Sequence, residues 1–211
     1  MKKLLELLKK IYKEHNYTVE ESEKNILFSK KSGQDYYLTA SYSKEEIISF
    51  FECDKTDKIL SEFKELKEEK EDIKKNTSLI LCVNVDNIKA FNEELRNTIF
   101  NIEEDEYFFR KYIILYSKDS IKSIENENNV TNKINKILTD DKRMGDFQEN
   151  YFSDEEFFVA MQLIVKLPFL ALRINQGDFD TLNSRLTSNI IESKLDHTHQ
   201  SFKKFNEHYI S

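Results

Sequence analysis

Leu79-Ile80-Leu81-Cys82-Val83-Asn84-Val85 is the stretch of sequence that decides the fold. Almost every residue in it is apolar, and three of its residues are β-branched. A strand with one face in water alternates apolar and polar residues, whereas a run without alternation is typical of a strand covered on both faces. The stretch therefore predicts a central strand, around which the rest of the chain can be interpreted.

The residues before this strand predict two helices and a hairpin. Apolar residues recur at helical spacing over 3–15 and again over 57–75. Between these helices, residues 26–29 and 36–42 are expected to pair as a hairpin around Gly33. The run Ile47-Ile48-Ser49-Phe50-Phe51 predicts a third strand, because its residues are bulky and apolar.

The residues after the central strand change from sheet to helix patterns. Asp86-Asn87 is expected to cap a helix that runs to about residue 97, and residues 109–116 predict a strand or a buried helix. Ser153 and Glu156 have the spacing of a capping box before a buried helix that Pro168 ends, and a long helix is expected from Asp178. The predicted fold class is α+β, with an α/β domain built on a mixed sheet at 1–116 and a helical region at 117–211.

Composition limits the classes of protein to which this chain can belong. It has 211 residues, 39% hydrophobic residues and a formal charge of −7, which suit a globular protein without an overall surface for nucleic-acid phosphates. Cys53 and Cys82 lack the spacing of metal ligands and are interpreted as buried thiols in a reducing compartment. No apolar run has the length of a membrane span, so a cytoplasmic protein is expected. Few Gly and Pro and many Lys, Asn, Ile and Glu favour an AT-rich bacterial source.

One alternative is a magnesium-dependent nuclease. The predicted order of helix, three strands, helix and strand over residues 3–85 is that of the restriction-endonuclease core, so this domain is interpreted as a possible degenerate version of it. Such a site needs acidic residues on the second and third strands to hold Mg²⁺. The candidates are Asp35, Glu52 and Asp54, although acidic residues at the ends of strands are more often solvated or cap helices.

Other chemical motifs give no catalytic, metal or cofactor site. His197, His199 and His208 could bind zinc only from a non-helical chain, because two residues apart on a helix point roughly 200° apart. The three glycines, Gly33, Gly145 and Gly177, cannot build a glycine-rich phosphate loop. We therefore expect no catalytic residue, no metal and no cofactor.

The segment from Glu103 to Tyr116 places four acidic residues before a cluster of aromatic residues and two cations. Tyrosine, phenylalanine and arginine are the residue types that anchor protein interfaces. The segment therefore predicts a partner-binding site formed by Tyr107, Phe108, Arg110, Lys111 and Tyr112. The alternative is that its aromatic residues fill the core, as aromatic runs usually do.

Asn76-Thr77-Ser78-Leu79-Ile80-Leu81 and the later Glu103–Tyr112 segment together resemble the small middle component of bacterial three-component ABC-ATPase defence systems, such as the Lamassu antiphage system. Lys166-Leu167-Pro168-Phe169-Leu170 also fits this resemblance, which covers roughly residues 60–170. It implies a non-catalytic subunit of a hetero-oligomer that binds an SMC-like ABC ATPase and a nuclease-type effector, and that meets DNA only through the complex. A stand-alone regulator that binds another protein through its terminal helix is a further possibility.

Overall fold

A five-stranded mixed sheet forms the centre of the protein. The computed structural model describes residues 3–22, 26–31, 35–69, 76–90, 93–105, 107, 109–150 and 152–170. The strands lie in chain order across the sheet: β1 (Thr18–Glu21), β2 (Leu27–Lys30), β3 (Tyr36–Ser43), β4 (Thr77–Asn84) and β5 (Arg110–Tyr116). The first three strands are antiparallel, and β3, β4 and β5 are parallel. The predicted α+β class is confirmed, with the mixed sheet near the N-terminus and helices after it.

Helices cover both faces of this sheet. Within the described residues they are α1 (Lys3–Glu14), α2 (Lys44–Ile48), α3 (Asp54–Glu69), α4 (Glu93–Glu104), α5 (Lys122–Glu125), α6 (Val130–Leu138), α7 (Asp141–Glu149) and α8 (Glu155–Lys166). Side chains alternate along β3: the Tyr12 hydroxyl of α1 lies 2.9 Å from that of Thr39, and the hydroxyl of Tyr42 lies 3.1 Å from that of Thr56 on α3. Because both faces are covered, β4 is buried along most of its length, as the apolar run from Leu79 to Val83 predicts.

The predicted third strand at residues 47–51 is wrong. The structure has α2 there, followed by a 3-10 turn at Phe50–Glu52. Ser43 forms a capping box with Glu46: the Glu46 amide donates to Ser43 Oγ at 3.2 Å, and the Ser43 amide donates to Glu46 Oε2 at 2.7 Å. This cap starts a helix directly at the end of β3, so local hydrogen bonding outweighs the strand preference of the following residues.

Three further local features differ from the predictions or complete them. The pattern missed β1, a short strand with mostly exposed side chains that do not form an apolar stripe. Asp154, rather than Ser153, caps α8, since its carboxylate accepts a hydrogen bond of 3.0 Å from the Phe157 amide. The open choice at residues 109–116 resolves as strand β5.

The helices that follow β5 pack against the sheet and against α1. Strand β5 ends at Tyr116, and the division of the chain into two domains after that residue stays a prediction. Helix α8 packs on β5 and α6 packs on α1, so that Met1–Ala171 form one compact unit. The long helix predicted from Asp178 lies outside the described residues.

A carboxylate at the end of α1 holds the start of α6. Glu14 accepts hydrogen bonds from the Val130 amide at 2.8 Å, the Thr131 amide at 3.0 Å and the Thr131 hydroxyl at 2.6 Å. The first amides of a helix have no partner within the helix, and a negative charge there is favoured by the helix dipole. Glu14 therefore links the N-terminal helix to the helical region.

Replacing this carboxylate should destabilise the protein measurably. We expect Glu14→Ala to lower the free energy of unfolding by about 1 kcal/mol, because the α6 amides would lose their acceptor. Urea unfolding followed by circular dichroism measures the change. The neighbouring exposed Lys13→Ala serves as the control, and an equal loss in both variants would contradict this role for Glu14.

Within the described ranges, no helix combines the length and the apolar composition that a membrane crossing requires.

Candidate functional site

A loop between α4 and β5 is fixed by the buried ammonium group of Lys111. This side chain is 4% exposed and lies 2.6 Å from the Asp105 carboxylate. It also donates to the backbone carbonyls of Asp105 and Tyr107, both at 2.8 Å, and reaches that of Phe109 at 3.4 Å. An ammonium group has three protons and no acceptor, and here they are directed at the loop that precedes the strand. Lys111 therefore holds Asp105, Tyr107 and Phe109 in place around one ammonium group.

The same loop is anchored in the core by Phe109. Its ring packs edge-to-face on that of Phe63 in α3, with centroids 4.8 Å apart, and it is 5% exposed. The loop turns back on itself, since the Phe109 amide donates to the Tyr107 carbonyl at 3.0 Å. Between these two attachments Tyr107 is 76% exposed. A large aromatic side chain is thus presented to solvent from a loop with fixed ends.

The predicted partner-binding residues divide by exposure. Tyr107 and Arg110 are exposed, and Tyr112 is half-buried on β5. Lys111 is buried and bonded within the protein, so its ammonium group shapes the loop and is not presented at the surface. Phe108 lies outside the described residues. Tyr107 and Arg110 are therefore the exposed members of the set, one just before β5 and the other at its first position.

Two exposed apolar side chains near β5 were not singled out from the sequence. Phe100 on α4 is 63% exposed and Val165 on α8 is 66% exposed. A helical projection could have found Phe100: it lies about 140° around the helix from Leu95, which is buried. That projection identifies Phe100 as outward-facing only once the face of α4 that meets the sheet is known.

The acidic residues of the nuclease alternative do not converge. Asp35 precedes β3, whereas Glu52 and Asp54 follow it, and all three are exposed. Because β3 has eight residues, its two ends lie roughly 26 Å apart at ~3.3 Å per residue. The second and third strands, Leu27–Lys30 and Tyr36–Ser43, contain no Asp or Glu. The positions that would hold Mg²⁺ in a nuclease core are therefore occupied by other residues.

The cysteines and histidines give no metal centre among the described residues, where no group of three His, Cys, Asp or Glu side chains could hold a metal ion. Cys82 is buried in β4, and burial raises the pKa of its thiol well above the usual range. Cys53 is half-buried rather than buried as expected. His197, His199 and His208 lie outside the described residues.

The described residues thus form an α+β protein with a mixed five-stranded sheet covered by helices and with Tyr107 exposed in the loop before β5. The chain belongs to the family described as ABC-three component (ABC-3C) system Middle Component 1, whose family model matches residues 35–142. This match runs from the start of β3 into α7 and includes the segment between α4 and β5 that contains Tyr107. The predicted resemblance to a middle component is confirmed, although the match ends before residues 166–170. No curated protein and no solved structure matches the chain.

Proposed function

We propose that this protein is a non-catalytic accessory subunit that binds an SMC-like ABC ATPase and a nuclease-type effector in a bacterial antiphage defence complex. Membership of the middle-component family supports a role beside the other components of such a system. The net charge of −7 favours contact with DNA only through the complex. The protein would then act by assembly, with chemistry left to its partners.

The exposed pair Tyr107 and Arg110 carries this proposal. Interface hot spots are enriched in Tyr and Arg, because each combines a large contact area with directional hydrogen bonding. The Lys111 clamp holds the loop at Asp105, Tyr107 and Phe109 before any partner arrives. A loop that is already ordered loses less conformational freedom on binding, which favours affinity. We therefore assign Tyr107, Arg110 and the half-buried Tyr112 to the contact with the ATPase.

Coexpression with the ABC ATPase component of the same system tests the proposal. We expect the tagged wild-type protein to copurify with the ATPase, and the Tyr107→Ala/Arg110→Ala variant to bind at least about 100-fold more weakly, since two hot-spot residues cost at least ~2.8 kcal/mol together. Isothermal titration calorimetry of each variant with the purified ATPase measures the change in affinity.

Phe51→Ala provides a matched control. Phe51 is 61% exposed and follows the C-terminal end of β3, whereas Tyr107 precedes β5. Because these strands are parallel, the two aromatic residues lie beyond opposite ends of the strands. The control should bind normally. Failure of the wild-type protein to bind the ATPase would contradict the proposed function, whereas equal binding by wild type and the double variant would contradict only the proposed contact.

A further inference from the structure

The outer edge of β5 is closed by side chains in place of a neighbouring strand. In the described chain β5 is the last strand on its side of the sheet and pairs with β4 on its other side only. In a parallel strand alternate residues direct their backbone groups to opposite sides. The Tyr116 carbonyl points toward β4, since it accepts from the Val85 amide at 2.9 Å. Residues 113, 115 and 117 consequently direct their amides and carbonyls outward.

Glu103 and Lys166 bind both backbone groups of Ile113. The Ile113 amide donates to Glu103 Oε1 at 2.7 Å, and Lys166 Nζ donates to the Ile113 carbonyl at 2.6 Å. The two side chains also pair with each other at 2.7 Å. An ion pair between α4 and α8 thus offers one acceptor and one donor to the strand edge, as a paired strand would.

Gln162 and Ser120 repeat this arrangement at the next two outward positions. The Leu115 amide donates to Gln162 Oε1 at 2.9 Å, and Gln162 Nε2 donates to the Leu115 carbonyl at 3.0 Å. The Ser117 amide donates to Ser120 Oγ at 2.9 Å, and the Ser120 hydroxyl donates to the Ser117 carbonyl at 2.9 Å. Three successive outward-facing residues therefore have both backbone groups bonded to side chains.

We propose that Glu103, Ser120, Gln162 and Lys166 form an edge seal that prevents β5 from pairing with β5 of a second copy of this chain. An unpaired strand edge is a template for association, and β5 carries an apolar and aromatic run at Tyr112–Tyr116 that favours it. Three helical side chains and one loop hydroxyl already hydrogen-bond the backbone amides and carbonyls that such pairing needs. Access of a second strand requires that these side chains leave first.

Opening the seal should convert the protein to a self-associating form. In the full chain, Gln162→Leu/Lys166→Leu removes three of the four outward hydrogen bonds at Ile113 and Leu115 while keeping side chains of helix-forming type. Sedimentation velocity at increasing protein concentration should show a shift from the wild-type species to dimers and larger species. The wild-type protein should keep one sedimentation coefficient over the same range.

Three further variants separate strand pairing from general destabilisation. Adding Ile113→Pro removes an outward amide that pairing would use and should restore the wild-type sedimentation. Because Ile113 is buried, Ile113→Ala in the same background is the control: it also loses the core side chain but keeps the amide, and it should leave the association in place. Glu14→Ala weakens the fold elsewhere and should sediment like the wild type. If the double variant does not fold, as judged by circular dichroism, the single variant Gln162→Leu is tested in the same way and decides.

Three results would overturn the proposal. The first is sedimentation of the opened variant like the wild type. The second is association that Ile113→Pro does not reverse, since exposed core residues would then cause it. The third is equal association of Glu14→Ala, which would indicate that any loss of stability suffices.

Discussion

Lys111→Met is expected to lower the free energy of unfolding by about 3 kcal/mol, because removing one member of a buried ion pair leaves the other without compensation. Lys111 is 4% exposed, and its ammonium group binds the Asp105 carboxylate at 2.6 Å. Methionine keeps the length of the side chain and loses only the charge and the donors. The Asp105 carboxylate and the carbonyls of the loop would then have no cation to bind. Urea unfolding measures the difference.

Arg110→Met is the matched control for this variant. Arg110 is adjacent in sequence and exposed, and removing an exposed charge usually changes stability by less than about 0.5 kcal/mol. We also expect Lys111→Met to weaken ATPase binding at temperatures where it remains folded, because Tyr107 would lose its fixed position. Equal stability of Lys111→Met and Arg110→Met would show that the clamp does not hold the loop.

The protein is expected to unfold steeply between about pH 10 and 12. Burial raises the pKa of Tyr116 to about 12, and it also raises the pKa values of Tyr12, Tyr37 and Tyr42. In the unfolded chain these phenols ionise near pH ~10. The stabilisation is therefore fully present below that pH and is lost as the pH rises through the folded-state values.

The size of this effect follows from the number of protons released. Each tyrosine that stays protonated only in the folded state lowers the free energy of unfolding by about 1.4 kcal/mol per pH unit above ~10. Four such residues give a slope of about 5.6 kcal/mol per pH unit, and a typical domain has only about 5–15 kcal/mol to lose. Unfolding and ionisation of the buried tyrosines should then occur in the same interval.

Paired spectroscopic titrations test the alkaline transition. Circular dichroism reports folding, and the absorbance of the phenolate reports ionisation. Tyr116→Phe should make the dependence of unfolding free energy on pH shallower by about 1.4 kcal/mol per unit, because one fewer proton is released. Ionisation of all tyrosines with an unchanged dichroism spectrum up to pH 12 would contradict the prediction.

The central strand and the first helix could be predicted because burial dominates their composition. Leu79–Val85 has to be covered on both faces whatever its surroundings, and β4 occupies nearly those residues. Residues 47–51 could not be predicted from strand preference, because a short hydrogen-bonded motif at Ser43 and Glu46 decides the local structure. Patterns of apolar residues thus predict layers of the fold, whereas side-chain caps determine where individual elements begin.

The candidate site could be predicted by residue type but not by exposure. Tyr107, Arg110 and Lys111 lie close together in the sequence and are all residue types found at interfaces. The structure nevertheless buries Lys111 and leaves Tyr107 and Arg110 at the surface. The difference arises from the turn that directs three carbonyls at one point, a feature of backbone geometry that has no period in the sequence. The edge seal is similar, since Glu103 and Lys166 meet only after α4 and α8 have packed on β5.

The bonds from Glu14 to the start of α6 join residues 116 and 117 positions apart. A ribosome that adds about 5–20 residues per second needs roughly 6–23 seconds to synthesise the intervening chain. Helix α1 is therefore synthesised well before the α6 amides that the Glu14 carboxylate binds. During that interval the Glu14 carboxylate has no α6 amide from which to accept a hydrogen bond, so this end of α1 is held less firmly than in the finished fold.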